Sequence, residues 1–150
     1  MITKFKLFEN NKKDYMGKFF LVPCENWTGK KLYIVLVKEV DFKWYVDGKG
    51  YRIWPMGDNF TVDKNGDIKN PAGWGYHYTQ EEFDKIDFLT PEEFWQKEPE
   101  LCEKLYLKVK NELDEGKCGG WYCEMLNFYK NRLETVKDFE HYIDAKKYNL

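Results

Sequence analysis

Four cysteines are the residues of this 150-residue chain whose spacing first suggests chemistry. Cys118 and Cys123 form a C-x4-C pair, and with Cys102 and one histidine they could supply the four ligands of a tetrahedral zinc site. The C-x2-C spacing of established zinc motifs is absent, so the pattern leaves metal binding by these thiols open. We expect buried free thiols, no disulfide in a reducing cytosol, and neither a metal nor another cofactor.

A second polar pattern, Asp63-x-Asn65-x-Asp67, begins like a calcium-binding loop. The pattern then departs from such loops, because Gly66 stands at the fourth position instead of the sixth and Trp74 replaces the glutamate of the twelfth. The Asn65-Gly66 pair favours a tight β-hairpin turn, which is the structure that we predict here.

The two histidines complete the set of candidate catalytic residues. His77-Tyr78-Thr79 resembles one His-x-Thr element of the two-histidine phosphoesterases, which bind a phosphodiester between two such elements. The second element would be His141-Tyr142-Ile143, which lacks the hydroxyl group. No Ser-His-Asp set, His-Glu-x-x-His, P-loop or Gly-x-Gly-x-x-Gly motif is present. We therefore predict a protein that is not an enzyme.

Charge and tryptophan point to binding surfaces instead. Residues 1–56 carry eleven basic and six acidic side chains, residues 57–150 carry thirteen and twenty, and residues 79–103 alone hold nine acids and two lysines. Trp74 lies between two glycines just before this acidic segment, and Trp121 follows two glycines after it. Exposed tryptophans often anchor protein interfaces. The predicted partner-binding residues are Trp74, Trp121, Glu92, Glu93, Glu98 and Glu100. The partner would be a protein with a basic surface.

The N-terminal half suggests an alternative function, because its aromatic residues alternate with basic ones. Aromatic rings stack on bases and lysines contact phosphates, so a basic aromatic sheet could bind single-stranded nucleic acid. The residues assigned to that function are Trp27, Lys43, Trp44, Lys49, Arg52 and Trp54. Only two of the 24 basic residues are arginine, the side chain that RNA-binding proteins favour.

The opening ten residues, Met-Ile-Thr-Lys-Phe-Lys-Leu-Phe-Glu-Asn, resemble the start of small accessory proteins of large tailed phages. The resemblance implies an anti-defence protein, like an anti-CRISPR protein, that inhibits a host nuclease or another nucleic-acid-handling protein. An immunity protein or antitoxin is the alternative within the same class. The N-terminus lacks the apolar core of a signal peptide, and no 18-residue apolar run exists, so we expect a cytoplasmic protein without a membrane partner.

The first 78 residues must position the basic aromatic surface. Their pattern predicts an antiparallel sheet of about five to seven short strands. Leu32–Val37 is continuous and β-branched, as in a central strand that is buried on both faces. Residues 40–46 alternate in polarity, and Asp47-Gly48-Lys49-Gly50 turns the chain into a partner strand at Tyr51–Trp54. Other strands are expected at 3–8, 15–22, 60–62 and 76–78.

From Thr79 onward the apolar spacing is helical. Thr79 with Glu82 and Thr90 with Glu93 match capping boxes, which predict short helices near 80–86 and 91–97. A helix of residues 99–115 and one long last helix, from about Trp121 to Lys147, should pair antiparallel and pack on the sheet.

The length and composition agree with this layout. Hydrophobic residues make up 43% and charged residues 33%, the balance of a globular protein. We predict a single α+β domain over residues 1–150, mainly β in 1–78 and mainly α in 79–150, that is a monomer or a dimer.

Overall fold

The structure is a computed structural model that describes residues 15–23, 30–41, 50–57, 59–69, 76–116 and 118–147. It divides into two compact units, Met1–Phe88 and Leu89–Leu150. The α+β class is confirmed, with an antiparallel sheet toward the N-terminus and helices toward the C-terminus. That the whole chain is one domain stays a prediction.

The strands of the N-terminal unit form one sheet around the long strand β2. Their bounds in the described residues are β1 Phe19–Pro23, β2 Lys30–Asp41, β3 Gly50–Pro55, β4 Phe60–Asp63, β5 Ile68–Lys69 and β6 Tyr76–Thr79. The predicted strand at 3–8 and residues 42–49 lie outside those residues. The predicted central strand is confirmed, because Ile34, Val35, Leu36 and Val37 are all fully buried.

Backbone hydrogen bonds of successive residues in β2 point to opposite edges of the strand, and they show which neighbouring strand lies at each edge. Val37 donates to and accepts from the segment before β1, whereas the Leu36 carbonyl accepts from Met56 at the end of β3. Strand β1 therefore pairs with one edge of β2, and β3 and β4 follow each other along the other edge. Beyond them, β6 pairs with β3 and β5 pairs with β4. The sheet thus has four antiparallel rows of strands, in the order β1, then β2, then β3 with β4, then β6 with β5. The register shifts in β2 between Val37 and Glu39.

One face of this sheet carries an aromatic core. Alternation along β3 places Tyr51 and Ile53 on that face, where the ring of Tyr51 stacks on Phe83 with centroids 3.9 Å apart. Phe83 lies on helix α1, Gln80–Asp84, which directly follows β6. Arg52 and Trp54 must therefore project from the opposite face, because successive side chains of a strand alternate.

The C-terminal unit consists of four helices: α2 Pro91–Lys97, α3 Pro99–Glu115, α4 Gly120–Glu134 and α5 Phe139–Lys147. Both predicted capping boxes are present, at Thr79 with Glu82 before α1 and at Thr90 with Glu93 before α2. Each threonine hydroxyl accepts an amide hydrogen of the first turn, and each glutamate accepts one from the threonine backbone, so both helices begin where the sequence predicted.

Helices α3 and α4 form the predicted antiparallel hairpin. Two hydrogen bonds show the direction: Tyr122 donates to Glu112 near the connection, and Tyr106 donates to Glu134 at the far end. Buried side chains fill the seam, with Leu105 and Val109 on α3 and Leu126, Tyr129 and Leu133 on α4.

The prediction of one long last helix is wrong. Helix α4 ends at Glu134, where the Thr135 hydroxyl donates to the Arg132 carbonyl at 2.6 Å. The chain then turns through Asp138, whose φ of 62° is left-handed, before α5 begins at Phe139. After this turn, Phe139 and Ile143 are buried on α5.

Candidate partner-docking site

The cysteines do not behave as the sequence suggested. Cys118 and Cys123 form a disulfide with Cα atoms 5.2 Å apart, so the prediction of free thiols is wrong for this pair. It is confirmed for Cys102, which is free and fully buried on α3. Burial raises the pKa of the Cys102 thiol to about 12, which makes it a poor nucleophile. Cys24 lies outside the described residues.

The residue with the most exposed aromatic side chain in the described part of the C-terminal unit lies between the two bridged cysteines in the sequence. Trp121 is 59% exposed in the first turn of α4, between the two bridged cysteines. Tryptophan is enriched at protein interfaces, where large aromatic side chains act as binding anchors. This is the one predicted tryptophan anchor whose exposure the structure reports, because Trp74 lies outside the described residues.

The backbone that carries Trp121 is held at several points. The Tyr122 hydroxyl donates to a carboxylate oxygen of Glu112 at 2.7 Å, which ties the first turn of α4 to α3. Lys108 pairs with the same carboxylate at 3.2 Å. Gly116 ends α3 with φ of 65°, a conformation that glycine adopts without steric cost. These contacts join the two helices beside Trp121, and the disulfide closes the chain on either side of that residue.

Three exposed acidic side chains lie near this end of the hairpin in the chain. Asp114 and Glu115 are exposed in the last turn of α3, and exposed Glu124 lies three residues after Trp121 on α4, hence on the same side of the helix. We call Asp114, Glu115, Trp121 and Glu124 the hairpin tip. The sequence prediction did not assign these acids to a binding surface, although three acids within residues 112–115, directly before the glycine that ends α3, were the available signal.

The predicted acidic residues lie at the other end of the hairpin. Glu98 and Glu100 flank the start of α3, whereas Trp121 follows its end, and the 17 residues of α3 span about 25 Å. Trp121 and the four glutamates Glu92, Glu93, Glu98 and Glu100 therefore lie toward opposite ends of α3, and their role in partner binding stays a prediction. The four glutamates are exposed, as a binding role would require, but they surround α2 and the start of α3.

Glu93 in addition has a structural role. One of its carboxylate oxygens accepts the Thr90 amide hydrogen at 3.0 Å, and Thr90 in turn accepts from the Glu93 amide. Glu92 also lies in the first turn of α2 and Glu100 in that of α3, where negative charge is favoured by the helix dipole. Helix capping therefore accounts for part of the acidic segment without any partner.

A shallow groove adjoins the tip at Asp114. It has a volume of about 460 Å³ between α3 and α5. Leu107, which is 36% exposed, and Ile143 supply its apolar surface, and an ion pair between Lys146 and Glu103 at 2.9 Å lies along it. A partner that contacts the tip could extend into this groove.

Two of the residues assigned to nucleic-acid binding are described, and they contact each other. The Arg52 guanidinium carbon lies 3.4 Å from the centroid of the Trp54 ring, so arginine covers one face of the indole. In register beside them on β2 lie Asp41 and Glu39, which reduce the positive charge of this face. Trp27, Lys43, Trp44 and Lys49 lie outside the described residues, so the nucleic-acid surface stays a prediction.

The histidine next to this stack is electrostatically perturbed. His77 lies on the same face, in register with Arg52 on the neighbouring strand. Partial burial and the positive charge of Arg52 lower the pKa of His77 from its ordinary value. The imidazole is therefore neutral near physiological pH and adds no charge with which to hold a phosphate.

The predicted hairpin at Asp63 is confirmed, and it accounts for the calcium-like pattern. A carboxylate oxygen of Asp63 accepts the amide hydrogens of Asn65 and Asp67, at 2.9 and 3.0 Å. Gly66 has φ of 84°, which suits a turn between β4 and β5. The carboxylate is thus already used in the turn.

No group of three or more His, Cys, Asp or Glu side chains is arranged to hold a metal ion within the described ranges. None of the helices in that part of the chain is long and apolar enough to cross a membrane. Comparison with protein-family models, curated proteins and solved structures finds no match to this chain.

Proposed function

We propose that this chain is a non-enzymatic protein-binding module that docks through the hairpin tip. The exposed Trp121 ring would enter an apolar pocket of the partner, and Asp114, Glu115 and Glu124 would face basic side chains around that pocket. Interfaces with this arrangement combine a buried aromatic anchor with a charged rim.

The exposure of Trp121 carries the proposal. A tryptophan presents roughly 250 Å², so its 59% exposed fraction leaves about 150 Å² for a partner to bury. At roughly 25 cal/mol per Å², the burial contributes at most about 4 kcal/mol. That value lies within the range of interface hot spots, ~2–4 kcal/mol. A single side chain could therefore determine whether the partner is bound.

The partner class follows from charge and from the resemblance of the opening residues. An acidic tip is complementary to a basic protein surface, and surfaces that bind nucleic acid are basic. The resemblance to accessory proteins of tailed phages agrees with a host nuclease or another nucleic-acid-handling protein as the target. An immunity protein or antitoxin would use the same kind of surface, with a toxin as its partner.

The test is a pull-down from lysate of the likely host, with and without nuclease, followed by affinity measurement on the protein captured. Three chains are compared: the unaltered protein, Trp121→Ala, and Tyr142→Ala as a control. Tyr142 is 45% exposed on α5, so its removal changes a similar type of surface away from the tip. We expect Trp121→Ala to weaken binding by about 30-fold or more, and the control to leave it within a few-fold.

A second comparison separates the tip from the predicted acidic surface. The triple variant Glu92→Lys, Glu98→Lys, Glu100→Lys reverses those charges and keeps Glu93, whose carboxylate caps α2. Loss of the partner in this variant, with binding retained in Trp121→Ala, would overturn docking through the tip. Capture that disappears with nuclease treatment would instead favour the basic aromatic sheet and nucleic acid.

A further inference from the structure

The disulfide lies on both sides of the proposed docking residue in the sequence. It joins two residues five positions apart and closes a small ring that contains Trp121. Both cysteines are half-buried, so each presents part of its surface to solvent. We therefore expect a small thiol to reach this bridge while the helices stay folded.

The hairpin does not depend on this bridge for its packing. Its seam is formed by Leu105, Val109, Leu126 and Tyr129, all fully buried, and the Tyr122–Glu112 hydrogen bond joins the two helices independently. A ring this short also constrains the unfolded chain less than a bridge between distant elements would. Opening the bridge should release Cys118 and the chain before the N-cap of α4, which changes the surroundings of Trp121 while the helices stay folded.

We propose that Cys118–Cys123 is a reversible thiol–disulfide site whose substrate is a cellular thiol reductant, and that its oxidised form holds Trp121 in position for docking. The regulatory part of this inference rests on the proposed function of the hairpin tip. Within the cytosol, where stable disulfides are rare, such a bridge acts as a redox-responsive element, whereas in an oxidising compartment it stays closed.

The exchange proceeds in two steps. A reductant thiolate attacks the Cys123 sulfur, a new sulfur–sulfur bond forms, and the Cys118–Cys123 bond breaks with Cys118 leaving as a thiolate. Cys118 directly precedes the N-cap of α4, where the positive end of the helix stabilises that thiolate. A second reductant thiol attacks the mixed disulfide and leaves Cys123 reduced. Two electrons thus pass from the two reductant thiols, which become a disulfide, to the protein, whose two thiolates take up two protons.

The third described cysteine provides an internal control. Cys102 is fully buried between α3 and its neighbours in the same unit and makes no disulfide. It should stay unmodified in the folded protein under every buffer that opens or closes the bridge. Its alkylation would signal unfolding instead of exchange at the tip.

The first test follows the bridge in the purified full-length chain. The protein is equilibrated in reduced and oxidised glutathione mixtures, alkylated, and analysed by peptide mass spectrometry. We expect Cys118 and Cys123 to become alkylated together as the buffer becomes more reducing, while the circular dichroism spectrum is unchanged. A pair that is free in every buffer, or that is reduced only in denaturant, would overturn the proposed site.

The second test follows Trp121 itself, without a partner. In protein labelled with 5-fluorotryptophan, the Trp121 fluorine resonance is identified by its absence from Trp121→Phe. We expect reduction, or the Cys118→Ser, Cys123→Ser double variant, to move that resonance and leave the other tryptophan resonances in place. A Trp121 resonance that does not respond would refute control of the docking residue by the bridge.

The partner identified by pull-down completes the comparison. We expect the double serine variant and the reduced protein to bind it about tenfold more weakly than the oxidised protein, because the anchor is no longer ordered beforehand. Equal binding by both forms, together with loss in Trp121→Ala, would overturn redox control and leave the proposed function intact. If no form binds a partner but the Trp121 resonance still responds to reduction, the docking function fails and the thiol–disulfide site is supported.

Discussion

Removal of one buried hydroxyl, by Tyr106→Phe, should measurably destabilise the C-terminal unit. Tyr106 is 1% exposed, and its hydroxyl faces the carboxylates of Glu134 and Glu140 at 2.9 and 3.3 Å. Burial and the hydrogen bond to Glu134 raise the pKa of Tyr106 well above its ordinary value, so the hydroxyl is a donor at any physiological pH. The side chain thereby joins α3 to both ends of the α4–α5 turn.

The magnitude follows from the type of hydrogen bond. A bond to a charged acceptor contributes about 1.5–3 kcal/mol. The Glu134 side chain is 22% exposed and also pairs with Lys130 at 2.8 Å, so water and lysine replace part of what is lost. We expect Tyr106→Phe to lower the free energy of unfolding by about 1.5 kcal/mol at neutral pH, as measured by urea titration with an unchanged m-value.

The loss in free energy of unfolding caused by Tyr106→Phe should also depend on pH. Partial burial raises the pKa of Glu134, but hydrogen bonds from Lys130 and Tyr106 outweigh that effect and hold it below the ordinary value of 4.5. A carboxylate with a lowered folded-state pKa stabilises the protein above the unfolded-state pKa, and that stabilisation disappears as pH falls through the folded-state pKa. The loss in free energy of unfolding should therefore fall to about 0.5–1 kcal/mol once Glu134 is protonated, because the hydrogen bond that Tyr106→Phe removes is then between neutral groups.

Tyr142→Phe is the matched control, since that tyrosine is 45% exposed on α5. It should change the free energy of unfolding by no more than about 0.5 kcal/mol. The reasoning is refuted if Tyr106→Phe unfolds at the same urea concentration as the unaltered protein at neutral pH. It is also refuted if Tyr106→Phe lowers the free energy of unfolding by the same amount in acid as at neutral pH, because the charge of Glu134 would then contribute nothing to the hydrogen bond.

Three further results are expected. Thr90→Ala removes the side-chain cap of α2 and should cost about 1 kcal/mol in thermal or urea unfolding, whereas Glu92→Gln beside it should cost only a few tenths. His77 should titrate with a midpoint below 6.5 by NMR, and Arg52→Gln should raise that midpoint; an unchanged midpoint would contradict the assigned effect of the arginine charge. In a Cys24→Ser variant, Cys102, with a pKa of about 12, should resist Ellman's reagent in the folded protein and react in denaturant; rapid reaction of the native variant would show that the Cys102 site is open.

Local signals in the sequence predicted the elements that depend on local chemistry. Thr79 with Glu82 and Thr90 with Glu93 identified two helix starts because a capping box involves residues only three positions apart. The unbroken apolar run around Val35 predicted a strand buried on both faces because such a strand has no polar side chain to expose.

Long-range features were not predictable in the same way. Val136 and Ile143 keep helical spacing across the break after Glu134, and no glycine or proline marks that break, so periodicity indicated one continuous helix. The turn depends on Tyr106 and on the burial of Phe139, which are tertiary interactions. Likewise, the distance between Trp121 and the glutamates of α2 follows from the direction of α3, which a linear sequence does not display.

The four rows of the N-terminal sheet follow one another in the order in which they occur along the chain. Strand β2 pairs with β1 before it and with β3 and β4 after it, and these in turn pair with β6 and β5. Three pairings join consecutive strands, whereas β2 with β4 and β3 with β6 pass over one and two strands. Because the entropic cost of loop closure rises only slowly with loop length, these two longer closures cost little more. The sheet can consequently form row by row as the chain leaves the ribosome, with the apolar strand β2 covered early by the neighbours on which its solubility depends.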